Sequence, residues 1–204
     1  MAEQVNKPQQ QRSREKVARI LEVTASLLET TSYDDLGTKL IAAEAGVSVG
    51  VLYRYFADKE AIVASLVRSW LRLDVQIAER VTSEPLPERS QDLLEKLVAA
   101  YAERFREEPG YRRIWYHGPR IASLRADTQQ SDEEIADRVH AALVRGYALP
   151  DTDESRRRGR LAVEVGSNLL DLAFRDDPMG DSEILAEAAL MMDRYLFAPP
   201  TSSR

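Results

Sequence analysis

Residues 36–62, LGTKLIAAEAGVSVGVLYRYFADKEAI, hold the side chains best suited to recognition chemistry. Directly after a glycine turn, this segment carries several valines, two tyrosines, an arginine and a lysine within about a dozen positions. The major groove of DNA admits one α-helix, offers thymine methyl groups to apolar side chains, and is bordered by phosphates that bind hydroxyls and cations. These residue types therefore predict a surface that contacts DNA.

Two short helices joined by a tight turn are predicted to position these side chains. The first runs over residues 38–45, and the second opens at Ser48 and ends near Phe56. Gly46 allows the positive φ of the turn, and the Ser48 hydroxyl can cap the second helix. The apolar contacts that hold the two helices together are assigned to Ile41, Val47 and Leu52, and Phe56 is expected to be core rather than a DNA contact. The rest of the second helix is then free to face outward.

The pattern AxxAGVSxGxLYxYFxxKExI resembles the DNA-binding domain of the tetracycline-repressor (TetR) family, over roughly residues 12–62. The resemblance implies that the helix beginning at Ser48 is a recognition helix and that Lys59, at the start of the next helix, holds a phosphate. The residues expected to bind DNA are Thr38, Lys39, Ser48, Val49, Gly50, Val51, Tyr53, Arg54, Tyr55 and Lys59.

The sequence departs from the family pattern at two positions before the turn. Gly37 stands where a capping threonine or serine is usual, and Leu40 stands where a polar residue is common. A glycine in place of the capping side chain costs only a few tenths of a kcal/mol, which the fold tolerates. The phosphate contacts of the first short helix are less well defined as a result.

Helical periodicity continues on both sides of this segment. Apolar residues recur at helical spacing from Arg14 to Thr30 and along a long helix capped by Asp58, whose apolar stripe is predicted to be Ile62, Leu66, Trp70, Leu73 and Ile77. Prolines at 85 and 87 mark residues 83–89 as a linker. A helix ending before Pro109, a short aromatic segment over 111–118 and a helix through Ile135, Val139 and Leu143 follow.

The pattern predicts an all-α protein, because no useful run alternates with period two. The expected organisation is an N-terminal three-helix helix-turn-helix DNA-binding domain over residues 12–60, a connecting helix four over 61–82, and a helical ligand-binding and dimerisation domain over 83–198. The last two helices, near 154–174 and 181–197, are apolar on more than one face. A helix of that kind must be covered on more than one side, so we expect these helices to form a homodimer interface rather than the deeply buried core of a single chain.

The resemblance also implies a small-molecule inducer that moves helix four and changes the spacing of the two recognition helices. The candidate pocket residues are Tyr101, Phe105, Trp115, Tyr116, His117, Asn168 and Asp171. Each has an alternative role, because aromatic residues commonly form ordinary core, and the polar stripe of Glu164, Asn168, Asp171 and Arg175 either lines a cavity or faces water. The run Arg156, Arg157, Arg158 and Arg160 is predicted to be a solvated face.

Composition limits the remaining possibilities. The chain has no cysteine and only two histidines, so neither a disulfide framework nor a metal site is expected, and no cofactor is implied. The formal charge of −6 taken alone disfavours a nucleic-acid partner. However, residues 1–19 carry five lysines and arginines against two glutamates, a local charge of +3 that leaves −9 for the rest. That arm is either a DNA-facing arm or a solvated tail.

No apolar run is long enough for a membrane span or a signal peptide, so a soluble, cytoplasmic protein is expected. The predicted function is a sequence-specific transcriptional regulator, a repressor that binds a palindromic operator as a homodimer and is released by an inducer. One alternative is a structural, nucleoid-type DNA-binding protein without ligand control. A small all-α enzyme is another alternative, although His117 and nearby Asp127 are its only acid–base material, and an activator role also stays open.

Overall fold

A computed structural model of the chain describes residues 7–117, 121 and 124–199, apart from the side chains of residues 7–9, 116 and 117. These residues form nine helices and no strand, which confirms the predicted all-α fold for this part of the chain. The helices are α1 (Lys7–Thr30), α2 (Thr38–Glu44), α3 (Val49–Tyr55), α4 (Lys59–Val81), α5 (Ser90–Glu107), α6 (Tyr111–His117), α7 (Leu124–Tyr147), α8 (Asp153–Arg175) and α9 (Ser182–Leu196).

The first compact unit comprises the described residues of 1–69 and 108–124. Within it, α1 packs on α2 and α6, and α2 packs on α3. Helix α1 begins seven residues before the predicted start at Arg14, because the polar segment ahead of Arg14 continues the same helix. The largest fully buried side chains of this unit are Ile20, Leu28, Leu36, Ile41, Leu52, Ile62 and Val63.

The turn between α2 and α3 has the predicted geometry. Gly46 adopts a φ of 67°, in the left-handed region that favours glycine. The Ser48 hydroxyl accepts a hydrogen bond from the Val51 amide at 3.2 Å and so caps α3. At the start of α4, an Asp58 carboxylate oxygen accepts a hydrogen bond from the Ala61 amide at 2.7 Å. Side-chain caps from nearby residues therefore fix the start of α3 and the start of α4, the helix that follows it.

The start of α6 packs closely against the backbone of α1, and the glycine before α6 makes this close packing possible. Gly110 has a φ of 70°, and a Cβ placed on it would lie 2.6 Å from both the Ala25 carbonyl oxygen and the Leu28 Cβ. Three residues after Gly110, within α6, the Arg113 guanidinium donates a hydrogen bond to the Glu29 carbonyl at 2.9 Å. The aromatic segment predicted after Pro109 is therefore a helix that is anchored to the C-terminal turns of α1.

The second compact unit comprises the described residues of 70–107 and 125–199. Helices α5, α8 and α9 pack on one another, and the unit buries Leu93, Leu94, Val139, Leu143 and Phe174 almost completely. The predicted apolar stripe of α4 is wrong at Leu73, which is 40% exposed, whereas the neighbouring Asp74 is only 7% exposed. At this point the buried face of α4 includes Asp74 instead of Leu73, so a charged residue occupies a core position.

Arg158 is a second correction to the sequence analysis. Although the run from 156 to 160 was predicted to be a solvated face, Arg158 is buried. Its guanidinium donates hydrogen bonds to the carbonyl oxygens of Ala198 and Pro199 and lies 2.9 Å from a Glu154 carboxylate oxygen. Arg158 therefore joins the start of α8 to the chain that follows α9.

The apolar faces predicted for α8 have different environments. Val163, Leu170 and Phe174 are buried against the rest of the second unit. In contrast, Leu161, Val165 and Leu172 are exposed by 47%, 44% and 42%. Helix α8 therefore packs into its own unit with one apolar face and leaves the other uncovered in the single chain.

Neither a membrane-spanning helix nor a cluster of metal ligands occurs in the described part of the chain. No described helix is both long and apolar enough to cross a bilayer. Among the same residues, no three His, Asp or Glu side chains converge in a way that could hold a metal ion.

Candidate nucleic-acid interface

Helix α3 presents its polar and glycine positions to solvent. Leu52 is fully buried beneath the helix, and Phe56, predicted to be core, is buried at its C-terminal cap. On the opposite side Gly50 and Arg54 are exposed, and Tyr53 is exposed by 51%. Val49 and Val51 are half-buried at the edges of this face. Gly50, Tyr53 and Arg54 thus face outward as expected, whereas the two valines are only partly exposed, and contact with DNA stays a prediction.

Two tyrosine hydroxyls fix α3 to its neighbours. The Tyr53 hydroxyl shares a hydrogen bond of 3.1 Å with the Thr38 hydroxyl of α2. The Tyr55 hydroxyl accepts a hydrogen bond of 3.1 Å from Ser13 of α1, and Tyr55 is half-buried rather than fully outward. Tyr55 therefore fastens α3 as well as bordering its outer face. Ser13 is a residue that the sequence analysis missed, because nothing in the local pattern links positions 42 residues apart.

Lys59 holds the connection between α1 and α2. Its ammonium donates hydrogen bonds to the carbonyl oxygens of Tyr33 at 2.7 Å and Asp34 at 3.2 Å, and it lies 4.4 Å from the centre of the Tyr33 ring. Burial raises the pKa of Tyr33, and the carboxylates of Glu60 and Asp58 raise it further. An ammonium has three N–H donors, so one donor remains for the phosphate contact that the sequence predicts.

The start of α2 lacks a side-chain cap, as the departure at Gly37 implied. Gly37 is the N-cap residue with extended backbone, and no side chain accepts a hydrogen bond there. Lys39 is exposed beside this helix end, and Leu40 is exposed as well. The start of α2 therefore has no side-chain cap, and Lys39 is an exposed cation in its first turn.

The surface in front of Gly50 is empty. A Cβ placed on Gly50 would meet no atom within 4 Å, so nothing inside the protein requires glycine there. Glycine within a helix is less stable than alanine by up to about 1 kcal/mol, so this position carries a stability cost without an internal reason. Close approach of a partner's backbone is a common reason for such a glycine.

We expect the Gly50→Ala variant to be more stable and to bind DNA more weakly. Alanine should raise the free energy of unfolding by about 0.5 kcal/mol, because the site is open and helical. The added methyl group should raise the Kd for a selected operator about tenfold, the equivalent of about 1.4 kcal/mol. Denaturant unfolding and equilibrium DNA titration measure the two effects separately. A stabilised variant with unchanged affinity would mean that Gly50 does not lie against DNA.

The residues predicted to line a ligand pocket fall in different environments. In the second unit, Phe105 is buried and stacks on Phe174 at 4.9 Å, and the half-buried Tyr101 donates a hydrogen bond to the Asp74 carbonyl at 2.8 Å. Asn168 is exposed and donates to the Glu164 carbonyl, whereas Asp171 is half-buried.

Trp115 lies in the first unit, 43% exposed, with its ring parallel to that of Tyr111 at 5.8 Å. The side chains of Tyr116 and His117 lie outside the described residues. Of the seven candidates, only Phe105 is a buried aromatic residue of the second unit.

A buried ion pair in the second unit was not predicted. The Arg104 guanidinium of α5 lies 2.6 Å from an Asp74 carboxylate oxygen of α4, and both side chains are almost completely buried. The sequence contains a signal for it, because Asp74 follows Trp70 and precedes Ile77 at the i+4 and i+7 spacing of a buried face. A charge at such a position requires an opposite charge nearby.

Comparison with known proteins gives a consistent identification. Residues 20–66 match the family model described as bacterial regulatory proteins, tetR family, and residues 88–199 match the tetracyclin repressor-like C-terminal domain. The HTH-type transcriptional repressor KstR of Rhodococcus jostii is 34% identical over 151 residues, which span 74% of this chain and 66% of that protein.

Solved structures of other proteins share the fold. A TetR-family transcriptional regulator from Streptomyces coelicolor superposes with a TM-score of 0.71 at 30% identity, covering 90% of this chain and 97% of its own. The transcriptional regulator FadR from Bacillus subtilis, solved in complex with stearoyl-CoA, gives a TM-score of 0.62 at 14% identity, covering 90% and 99% of the two chains.

Proposed function

The chain belongs to the TetR family of DNA-binding transcriptional regulators, and we propose that it is a homodimeric repressor that leaves its operator when a small molecule binds its second unit. The observation that carries this proposal is the outward face of α3, with Gly50, Tyr53 and Arg54 exposed on a short helix of fixed position. A short rigid helix of this kind suits the major groove, where Tyr and Arg side chains reach phosphates and base edges.

The exposed stripe of α8 supports dimerisation. Leu161, Val165 and Leu172 lie on one side of α8, and Met191 and Tyr195 of α9 are exposed by 47% and 41%. Contiguous apolar surface on two helices is characteristic of an interface, and a second copy brings the same surface to it. A four-helix arrangement made of α8 and α9 from each protomer would cover all of these side chains.

A twofold dimer also suits the DNA face. Two recognition helices related by a twofold axis read half-sites about one helical turn apart, roughly 34 to 36 Å, so the operator is expected to be palindromic. One protomer alone would contact one half-site and make half of the phosphate contacts. Dimerisation therefore contributes directly to operator affinity.

Ligand control is proposed for the second unit. FadR, which has the same fold, was solved in complex with stearoyl-CoA and is a precedent for a small-molecule site in this architecture. In this chain the proposed lining residues are Tyr101, Phe105 and Asp171, which are buried or half-buried in the second unit. Helix α4 is continuous and contributes residues 59–69 to the first unit and 70–81 to the second. A ligand that shifts α4 would therefore act on the element that follows α3.

Selection of duplexes from a random pool tests the proposal. We expect the purified protein to enrich an inverted repeat and to bind it at least about a thousandfold more tightly than random DNA. The competition is measured at fixed salt, because phosphate contacts make affinity depend on salt concentration. Enrichment of no sequence, with equal affinity for all duplexes, would favour the structural, nucleoid-type alternative and reject the repressor.

A further inference from the structure

Arg54 occupies the centre of the outward face of α3. A helix turns about 100° per residue, so Gly50 and Arg54 each point about 160° away from the buried Leu52. Val51 and Tyr53 lie about 100° from Leu52 and therefore border this centre. Whatever α3 faces most directly is contacted by Arg54 and by the open surface at Gly50.

The other hydrogen-bonding side chains of this helix already have partners. The Tyr53 hydroxyl is paired with Thr38, the Tyr55 hydroxyl with Ser13, and the Ser48 hydroxyl with the Val51 amide. Among the described residues, the Arg54 guanidinium makes no hydrogen bond or ion pair within the protein. Arg54 is therefore the side chain of α3 with its full donor capacity available to a partner.

We propose that Arg54 determines operator sequence by donating two hydrogen bonds to O6 and N7 of one guanine in each half-site. The inference rests on the proposed function and deepens it. In the major groove, guanine presents two adjacent acceptors that match the planar fork of a guanidinium. Gly50, one turn earlier on the same face, leaves the room that a long side chain needs between the helix and the bases.

The position of Arg54 favours a base rather than a phosphate. Phosphates border the groove, so residues at the ends and edges of a recognition helix reach them, whereas the centre of the face meets base edges. Tyr53, Lys39 and Lys59 lie at the edge of this face or on the flanking elements, which suits them to the phosphates. The valines at the other edges suit thymine methyl groups.

Duplex selection with the Arg54→Ala variant tests the inference. For the wild type we expect guanine at one symmetric pair of positions, preferred about ten- to a hundredfold over other bases. In Arg54→Ala that preference should disappear while the remaining positions keep theirs. Lys39→Ala is the matched control, which should weaken binding to all duplexes and leave every base preference unchanged.

A second measurement leaves the protein unchanged. The wild type is titrated with its selected duplex in which that guanine is replaced by 7-deazaguanine, which lacks the N7 acceptor. We expect a loss of about tenfold for the wild type and no loss for Arg54→Ala.

A uniform loss of affinity in Arg54→Ala, with unchanged base preferences and a flatter salt dependence, would identify a phosphate contact and overturn the inference. If the wild type selects no sequence at all, the proposed function itself fails.

Discussion

Replacing Val165 with aspartate is expected to dissociate the dimer and to weaken operator binding by at least about a hundredfold. Val165 lies in the middle of the exposed apolar stripe of α8, between Leu161 and Leu172. In a twofold interface the change would bury two carboxylates without partners, and each such burial costs several kcal/mol. A monomer also loses one half-site and with it about half of the salt dependence of DNA binding. Sedimentation at micromolar concentration and operator titration over a range of salt measure both effects.

Ser167→Asp is the matched control for this prediction. Ser167 lies two residues further along α8 and is exposed on its polar side, away from the stripe. The variant introduces the same charge on the same helix, so it should remain a dimer and bind the operator as the wild type does. A dimeric Val165→Asp protein with normal operator affinity would place the interface elsewhere on the molecule.

The helix-turn-helix was predictable because short-range chemistry specifies it. The positive φ of Gly46, the cap made by Ser48 and the buried positions of Ile41 and Leu52 each depend on residues within a few positions of one another. Prolines and glycines located most helix ends for the same reason. Because such features depend only on residues close together in the chain, a single sequence is enough to predict them.

The contacts that orient this motif were not predictable. Tyr55 is held by Ser13, and Lys59 by two carbonyl oxygens more than 20 residues before it. A hydroxyl or an ammonium has many possible partners at long range, and only the packing of α1 selects one of them. The sequence therefore identified the outward face of α3 but not the bonds that set its angle.

The second unit shows a related limit. Periodicity found apolar residues on more than one face of α8, yet it could not decide which face the chain itself covers, because apolar side chains recur at helical spacing on both faces. It also placed Leu73 inside and missed Asp74, since a shift of one residue moves the centre of a helix face by about 100°. Arg158 was misassigned because the arginine run was interpreted as one solvated face, which holds for the other three arginines but not for Arg158. In each case tertiary packing decided which side chains are buried, and the local sequence pattern fitted more than one answer.

Replacing Arg104 with leucine is expected to lower the free energy of unfolding by about 3 to 5 kcal/mol. The Asp74 carboxylate would lose the guanidinium that lies 2.6 Å away in an interior that excludes water. Removing one partner of a buried ion pair is costly because the remaining charge keeps its desolvation penalty without the attraction. Urea unfolding followed by circular dichroism, at one fixed protein concentration, measures the loss.

The double variant Asp74→Leu/Arg104→Leu separates the ion pair from simple loss of packing. With both charges replaced by apolar side chains, stability should recover most of the deficit, because apolar residues in such positions are often as stable as the pair. The exposed pair of Arg19 and Glu22, with nitrogen and oxygen 3.2 Å apart, is the control. Arg19→Leu should change stability by no more than about 0.5 kcal/mol. If the double variant is instead less stable than Arg104→Leu, the pair does not account for the effect.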